Sequence, residues 1–377
     1  MLKNFLICVL LINCLFSCRN AEKKQTIPES KASEFSEFPF KKGINMSHWL
    51  SQTTARGEER KQVMIENDFG FLAFLGYDHI RLPIDEEQLF FENGEKDPEA
   101  WILVHNAINW CKKYNLRIIL DLHIIRSHDF LKENNPLFTS KEALEDFVNI
   151  WRKISEEFSR YPKDLVAYEL LNEAVAEDPA DWNNVIAYAV KEIRKLEPER
   201  KLIIGSNQWQ SVNTFNDLAI PDDANLILSF HFYKPHPFTH YRAHWDKLAN
   251  YSGPVKYPGE VVSKADFNAQ PEELKKVLEE HMGNYNADTL EYEVLKAVKV
   301  AKEHNLPLYC GEFGALPTVD REQRLQWYTD VVSIFDKHNI AWANWDFKGG
   351  FAIFNFQTGY PDCELIKALL GNCALEE

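Results

Sequence analysis

A chain of 377 residues, 45% of them apolar, holds material for one large core or two ordinary ones. Its formal net charge of −15 would repel nucleic-acid phosphates and leaves neutral or cationic ligands open. The 10 Trp, 14 Tyr and 25 Phe are enough to fill a core and still leave flat surface platforms of the kind sugar rings stack on.

Residues 1–17 read as a secretory signal: Lys3, an apolar stretch from Phe5 to Phe16, then Leu15-Phe16-Ser17-Cys18. That ending resembles the bacterial lipobox, whose cysteine becomes the lipidated first residue of the mature chain, so Cys18 is the expected lipidation site. Cys14 suits less well, because Asn13 stands where a small residue belongs. The apolar run is too short for a lasting transmembrane helix. Residues 18–38 are polar, poor in large apolar side chains and expected to be a flexible tether. The fold should then occupy 39–377, as a monomer held to the membrane by its lipid, with an envelope location, the outer membrane of a diderm cell. Four cysteines follow, Cys111, Cys310, Cys363 and Cys373, in a scatter that fits neither a disulfide framework nor a zinc site. Cys111 and Cys310 read as buried thiols. Whether Cys363 pairs with Cys373 stays open.

From residue 42 short apolar, β-rich runs alternate with helical spacing. The strands are expected at Lys42–Ser47, Tyr77–Ile84, Leu116–His123, Leu165–Asn172, Leu202–Gln208, Leu226–Tyr233, Pro307–Phe313 and Ile340–Phe347. Helices are expected at Glu58–Leu75, Glu99–Lys113, Lys141–Ser159, Ala180–Leu196, Glu291–His304 and Arg321–Lys337. This alternation predicts a parallel sheet with crossover helices, and strands apolar on both faces agree. Eight strands over this length predict an α/β fold, a closed (β/α)8 TIM barrel. An open doubly wound sheet is the alternative, weakened because "KKGINMSHW" offers one glycine and no phosphate loop. The long connection 234–306 between the sixth and seventh strands reads as an insertion over the barrel mouth.

Strand after strand ends in a polar or aromatic side chain: Arg81 in "HIRLPID", His123 in "IILDLH", Asn172 and Glu173 in "YELLNE", His231 and Tyr233 in "LSFHFY", Glu312 in "LYCGEF", Trp345 in "WANWDF". In a barrel all these carboxyl ends converge on one face. Glu173 and Glu312, closing the fourth and seventh strands, would then face each other, as glycoside hydrolysis needs: one carboxyl group protonates the leaving oxygen while the other attacks or activates water. Each alone could equally be a salt-bridge partner. Asn172 suits a sugar 2-hydroxyl. Arg81 and Tyr233 suit donation to a Glu312 carboxylate kept ionised, while Glu173 needs a raised pKa to be the acid. His123 and His231 suit orientation or hydroxyl binding, and Trp345 offers an apolar face.

On these motifs, with "YCGEFG" and "NWDFKGG", the chain resembles clan A glycoside hydrolases of family 5 over nearly all of residues 40 to 370. Within the family it is most similar to bacterial endo-β-1,4-glucanases and lichenases of the clostridial cellulase C type, a likeness that extends to "WCKKYNL", "HFYKPHPFTHYRAHW" and "VKYPG". The resemblance implies a retaining enzyme acting on β-glucan, with no cofactor, Glu173 as acid/base and Glu312 as nucleophile. Arg81, His123, Asn172, His231, Tyr233 and Trp345 would be the supporting shell. Ala174 departs from the family, which usually has proline there; the change should affect rigidity and not chemistry. A β-mannanase with the same pair and a non-catalytic carbohydrate-binding lipoprotein are the alternative functions.

Other features have plainer readings. His231, His236, His240 and His244 invite a metal, yet no HExxH glutamate sits between them and prolines interrupt the run, so no metal is expected. Asp85 and Glu86 read as a loop cap. Trp49 and Trp209 are each either a sugar platform or buried beneath a loop.

Overall fold

The computed structural model describes residues 40–355 and 357–376. The signal 1–17, Cys18 and the tether 18–38 lie outside the described residues. No described helix is long and apolar enough to cross a membrane.

Eight parallel strands close into a barrel: β1 Lys42–Asn45, β2 His79–Ile84, β3 Arg117–Leu122, β4 Val166–Glu169, β5 Leu202–Gly205, β6 Leu226–Phe232, β7 Leu308–Phe313 and β8 Ala341–Asn344. They pair in chain order, and β1 pairs with β8 to complete the circle. All eight fall inside the expected runs.

The barrel follows from side-chain alternation. On β2, Ile80, Leu82 and Ile84 belong to the large core between strands and helices, together with Ile118, Leu120 and Leu122 of β3 and Leu226, Leu228 and Phe230 of β6. The opposite set, Ile119, Ala167, Ile203, Ile227, Tyr309, Ala341 and Ala343, packs around the barrel axis with Phe40 as its floor. One turn higher the inward positions are polar, with Asn45, Arg81, Asp121, Glu169 and Ser229 all buried. The interior thus runs from apolar at the amino-terminal pole to charged at the mouth.

The alternation is broken at one place. Phe230 pairs with Cys310, but the next residue of β6, His231, pairs with Glu312, so Gly311 is an extra residue on β7. A bulge of this kind re-aims the residue after it. With Tyr309 facing in and Cys310 out, unbroken alternation would send Glu312 outward into the helix layer. The bulge returns it to the mouth. A Cβ on residue 311 would lie 3.0 Å from His231 Nε2 and 3.2 Å from Ser229 Oγ, so glycine is what fits.

The coating helices are α1 Glu66–Leu75, α2 Pro98–Lys113, α3 Lys141–Phe158, α4 Pro179–Leu196, α5 Ala287–Glu303, α6 Arg321–Lys337 and α7 Cys363–Leu370. Their starts are written in the sequence: Ser140 accepts from Ala143 N, Asp178 caps before Pro179, and Asn286 forms a capping box with Thr289. The expected helix Glu58–Leu75 is two, Gly57–Val63 and α1. Met64 and Ile65 are extended between them, and Asp68 accepts from Ile65 N at 2.9 Å. A local side-chain acceptor makes this break, which periodicity does not register.

The segment 234–306 contains the short helices His236–Thr239, Lys264–Asn268 and Glu272–Glu279 and a two-residue ribbon, Gly259–Glu260 with Asn284–Tyr285. It also contains α5, whose Leu290, Val294, Ala297, Val298 and Ala301 are buried. That helix is the crossover between β6 and β7, so the added structure ends before residue 287. Cys363 and Cys373 form a disulfide across α7, while Cys111 and Cys310 are free and buried.

At the closed pole Arg200, 2% exposed, donates to the carbonyls of Pro162, Val166 and Tyr161 and to Glu197 Oε2. Removing one partner of a buried pair leaves the other charge uncompensated, so Arg200→Ala should lower stability by about 3–5 kcal/mol. Chemical denaturation of the variant measures this; a loss under 1 kcal/mol would contradict the role.

Candidate active site

Arg81 projects from β2 into the mouth and is fully buried. Its Nε donates to Glu169 Oε2 at 2.7 Å, its Nη1 to Glu312 Oε1 at 2.7 Å and to Asn45 Oδ1 at 2.9 Å, and its Nη2 to Asn172 Oδ1 at 2.9 Å. Asp121 Oδ2 lies 3.1 Å from Nη2 and 2.7 Å from His123 Nδ1. One guanidinium therefore serves three carboxylates.

Glu312 receives a second donor, the Tyr233 hydroxyl at 2.8 Å from Oε2. Glu173 lies across the mouth with His231 Nδ1 2.8 Å from its Oε1, and His231 Nδ1 is 3.7 Å from Glu312 Oε2. One oxygen of Glu173 and one of Glu312 lie within 4.8 Å of each other. His123 stacks on Trp345, with ring centroids 5.8 Å apart and planes at 7°. All eight residues singled out in the sequence thus meet at one end of the barrel.

Consecutive residues of a strand face opposite ways, yet Asn172 and Glu173 both reach this cluster. Strand β4 has ended at Glu169, and Glu173 adopts φ +47°, a left-handed conformation uncommon outside glycine. Such outliers gather at functional sites. Ala174, in place of the usual proline, is buried, and its carbonyl accepts from Trp209 N at 3.2 Å.

Burial in this mouth acts on every carboxyl group. It pushes Glu173 well above the usual range, and the neighbouring charge of Glu312 adds to the rise. Glu312 was expected to be simply held ionised; burial raises it too, while Arg81, His123 and the Tyr233 hydroxyl pull the other way. With Arg81 bonded to Glu312 alone of the pair, Glu312 ionises first and Glu173 keeps the proton. Asp121 is pushed up to about 7 by burial, against the pull of Arg81. Burial lowers His123 to about 4 and also holds His231 well below its ordinary range, so both rings are neutral near pH 7.

Three buried polar atoms of this site, Asn172 Nδ2, His231 Nε2 and Asp121 Oδ1, have no hydrogen-bond partner among the described residues. Buried donors and acceptors are rarely left unpaired, and the Asn172 amide, next to Glu173 in the chain, suits a polar ligand. The oxygens of Glu173 and Glu312 with a nitrogen of His231 could also bridge a cation. Arg81 already supplies positive charge there. Of the four histidines of the "HFYKPHPFTHYRAHW" block, only His231 joins this cluster. His236 and His240 stack together at 4.3 Å, and His244 stacks edge-on against Trp245 at 4.8 Å.

Two open alternatives are decided and one expectation changes. Trp49 takes the buried alternative: it is fully buried and donates from Nε1 to Arg60 O. Trp209 is 48% exposed, with Nε1 donating to Phe130 O. Asp85 makes no side-chain cap bond to the helix that follows it; its carboxylate accepts from Ser51 Oγ, Gln52 N and Ile124 N, tying together the loops after β1, β2 and β3. Asp121, Glu169, Asn45 and Gln210 were not singled out. Alternation back from His123 and from Glu173 would have pointed inward to Asp121 and Glu169, whereas nothing local marks Gln210.

A family model for cellulase (glycosyl hydrolase family 5) matches residues 38–350. The chain belongs to glycosyl hydrolase family 5. Endoglucanase C of Acetivibrio thermocellus is 33% identical over 336 residues, 88% of this chain and 98% of that one. Cellodextrinase A of Ruminococcus flavefaciens is 30% identical over 303 residues, 80% and 83% of the two chains. The solved structure of endoglucanase Cel5A from Thermotoga maritima shares the fold with a TM-score of 0.72 at 24% identity, covering 88% of this chain and 97% of that one.

The Tyr233 hydroxyl favours the ionised form of Glu312, so its loss raises that pKa further. In Tyr233→Phe the acidic limb of the pH–rate profile for this glycosyl hydrolase should move to higher pH. The rate on that limb should fall about tenfold or more, as expected for a hydrogen bond to a charged group. An unmoved limb would remove this role.

Proposed function

We propose that this protein is a retaining endo-β-1,4-glucanase acting on β-glucans such as lichenan, mixed-linkage glucan and cellulose-type chains, with Glu173 as acid/base and Glu312 as nucleophile. The observation that carries this reading is the separation of the two carboxylates, whose oxygens come within 4.8 Å. Retaining enzymes hold the pair about 5 Å apart, whereas about 6.5–9.5 Å leaves room for an inverting water.

In the first step Glu312 attacks the anomeric carbon while Glu173 gives its proton to the glycosidic oxygen. The carbon–oxygen bond breaks, the aglycone leaves as an alcohol, and a glycosyl ester of Glu312 remains. Glu173, now ionised, takes a proton from water as that water attacks the same carbon, and Glu312 departs as a carboxylate. Esterification removes the charge of Glu312, one of the causes that raise Glu173, so the Glu173 pKa falls and the group stays ionised, a carboxylate ready to act as base in the second step. Asn172 Nδ2, already buried and unpartnered, would donate to the sugar 2-hydroxyl, and Trp345 would lie beneath the ring. The similarity to endoglucanase C and cellodextrinase A supports a β-1,4-glucan as the polymer.

Wild-type protein should hydrolyse barley β-glucan, Glu312→Ala should not, and Glu173→Ala should lose about 10²–10⁴-fold. NMR of the first-formed reducing end should show the β-anomer; an α-anomer would refute retention. Initial rates on lichenan, carboxymethyl cellulose and glucomannan test the substrate, and activity on mannans alone would overturn it.

The lipobox-like ending at Cys18 and the Cys363–Cys373 disulfide, a bond typical of oxidising compartments, support an envelope lipoprotein, tethered through Cys18 to the outer membrane and monomeric. Cys18→Ala should move the enzyme from the membrane to the soluble fraction; unchanged membrane association would exclude the anchor.

A further inference from the structure

Beneath the reacting carboxylates lie groups to which the mechanism above gives no task. Gln210 is buried, and its φ of +51° closes a run of three left-handed residues with Gln208 at +53° and Trp209 at +58°. Such backbone is strained without glycine and persists only when its surroundings hold it. Four of the holding contacts go to the loop that carries Glu173. Trp209 N donates to Ala174 O at 3.2 Å, and Ala176 N donates to Asn207 Oδ1 at 2.9 Å. Asn207 Nδ2 and Gln208 Nε2 both donate to Ala176 O at 2.8 Å.

The Gln210 side chain turns into the barrel. Its Oε1 accepts from Glu173 N at 3.0 Å, and its Nε2 donates to Glu169 Oε1 at 3.2 Å and to Ser229 Oγ at 3.0 Å. The amide orientation is dictated by the Glu173 N–H, which only donates, so Gln210 Oε1 faces it and Nε2 faces Glu169 and Ser229. The path exists because residue 205 is glycine: a Cβ there would sit 2.3 Å from Gln210 Cγ. Glu169 grips Arg81 at 2.7 and 3.2 Å, and Arg81 reaches Glu312 at 2.7 Å. Hydrogen bonds therefore run unbroken from the backbone of Glu173 through Gln210, Glu169 and Arg81 to Glu312.

We propose that Gln210 is a positioning residue: it accepts the Glu173 N–H, fixes the left-handed turn that aims the Glu173 carboxyl, and through Glu169 and Arg81 registers that carboxyl against Glu312. The proposal rests on Glu173 being the acid. Without the Gln210 acceptor the Glu173 N–H is an unpaired donor, and the turn relaxes toward ordinary backbone. Proton transfer is sensitive to such a displacement.

An acid that is misplaced shows in the leaving group. Dinitrophenolate departs from dinitrophenyl β-cellobioside without a proton, whereas the alcohol cleaved from cellotetraose needs one. The specificity constant kcat/KM reports the steps up to the glycosyl-enzyme. For Gln210→Ala it should fall about 10–100-fold on cellotetraose and less than about threefold on dinitrophenyl β-cellobioside. Gly205→Ala, which removes no hydrogen-bonding group, should give the same contrast. Equal loss on both substrates, or no loss on either, overturns the positioning role. Glu173→Ala should show a deeper version of the contrast; if it loses both equally, the assignment of the acid fails, whatever Gln210 does. Thermal unfolding checks that each variant is folded at the assay temperature, and if Gln210→Ala is not, Gln210→Asn, whose shorter amide cannot reach, carries the same outcomes.

Discussion

A single buried guanidinium governs the mouth of this barrel. Arg81 is the one cation bonded to Glu312, Glu169 and Asp121 together, and an isolated charge in such surroundings would be very unfavourable. The protein answers with geometry: two donors toward Glu169, one each toward Glu312 and Asn172. Because one positive charge cannot balance four nearby carboxyl groups, some of them must hold protons near neutral pH. Burial raises all four, Asp121 to about 7, and Glu173 alone has no bond to Arg81. Burial sets the rise, and distance from Arg81 decides which of the two facing glutamates gives up its proton first.

Much of this was legible from the chain. Eight apolar runs with crossover spacing led to the barrel, and polar residues at strand ends led to the mouth, because both are properties of single segments. What escaped was side-chain bonding, local or long range. The break at Met64–Ile65 depends on Asp68 turning back to cap three residues away. Whether Trp49 was a platform or buried beneath a loop depended on the loops around it. Gln210 owes its position to Gly205, to Ser229 on the next strand and to the backbone of Glu173. None of those partners is marked in the local sequence. The helix expected at Glu291–His304 starts at Ala287, and an insertion bounded by the two strands took in this crossover helix because it lies between them.

Several departures from regular backbone lie beside the two facing glutamates. Glu173, Gln208, Trp209 and Gln210 are left-handed, and the register shift between the sixth and seventh strands lies beside Glu312. Regular strands would have produced a stable barrel with its acids badly aimed. The lower half of the barrel, packed around Phe40, Ile119 and Ile227, keeps regular alternation, and that apolar layer gives the irregular rim a rigid base.

The extra residue in β7 has an evolutionary side. Which way Glu312 points is set by how many residues precede it in the strand, and changing side chains one at a time cannot alter that number. A lineage that lost Gly311 by a three-nucleotide deletion would keep the same glutamate, the same strand and an intact hydrophobic shell, yet turn that carboxyl group into the wall. Aligned by residue identity, such a descendant would pass for an enzyme; only the parity of its seventh strand would give it away.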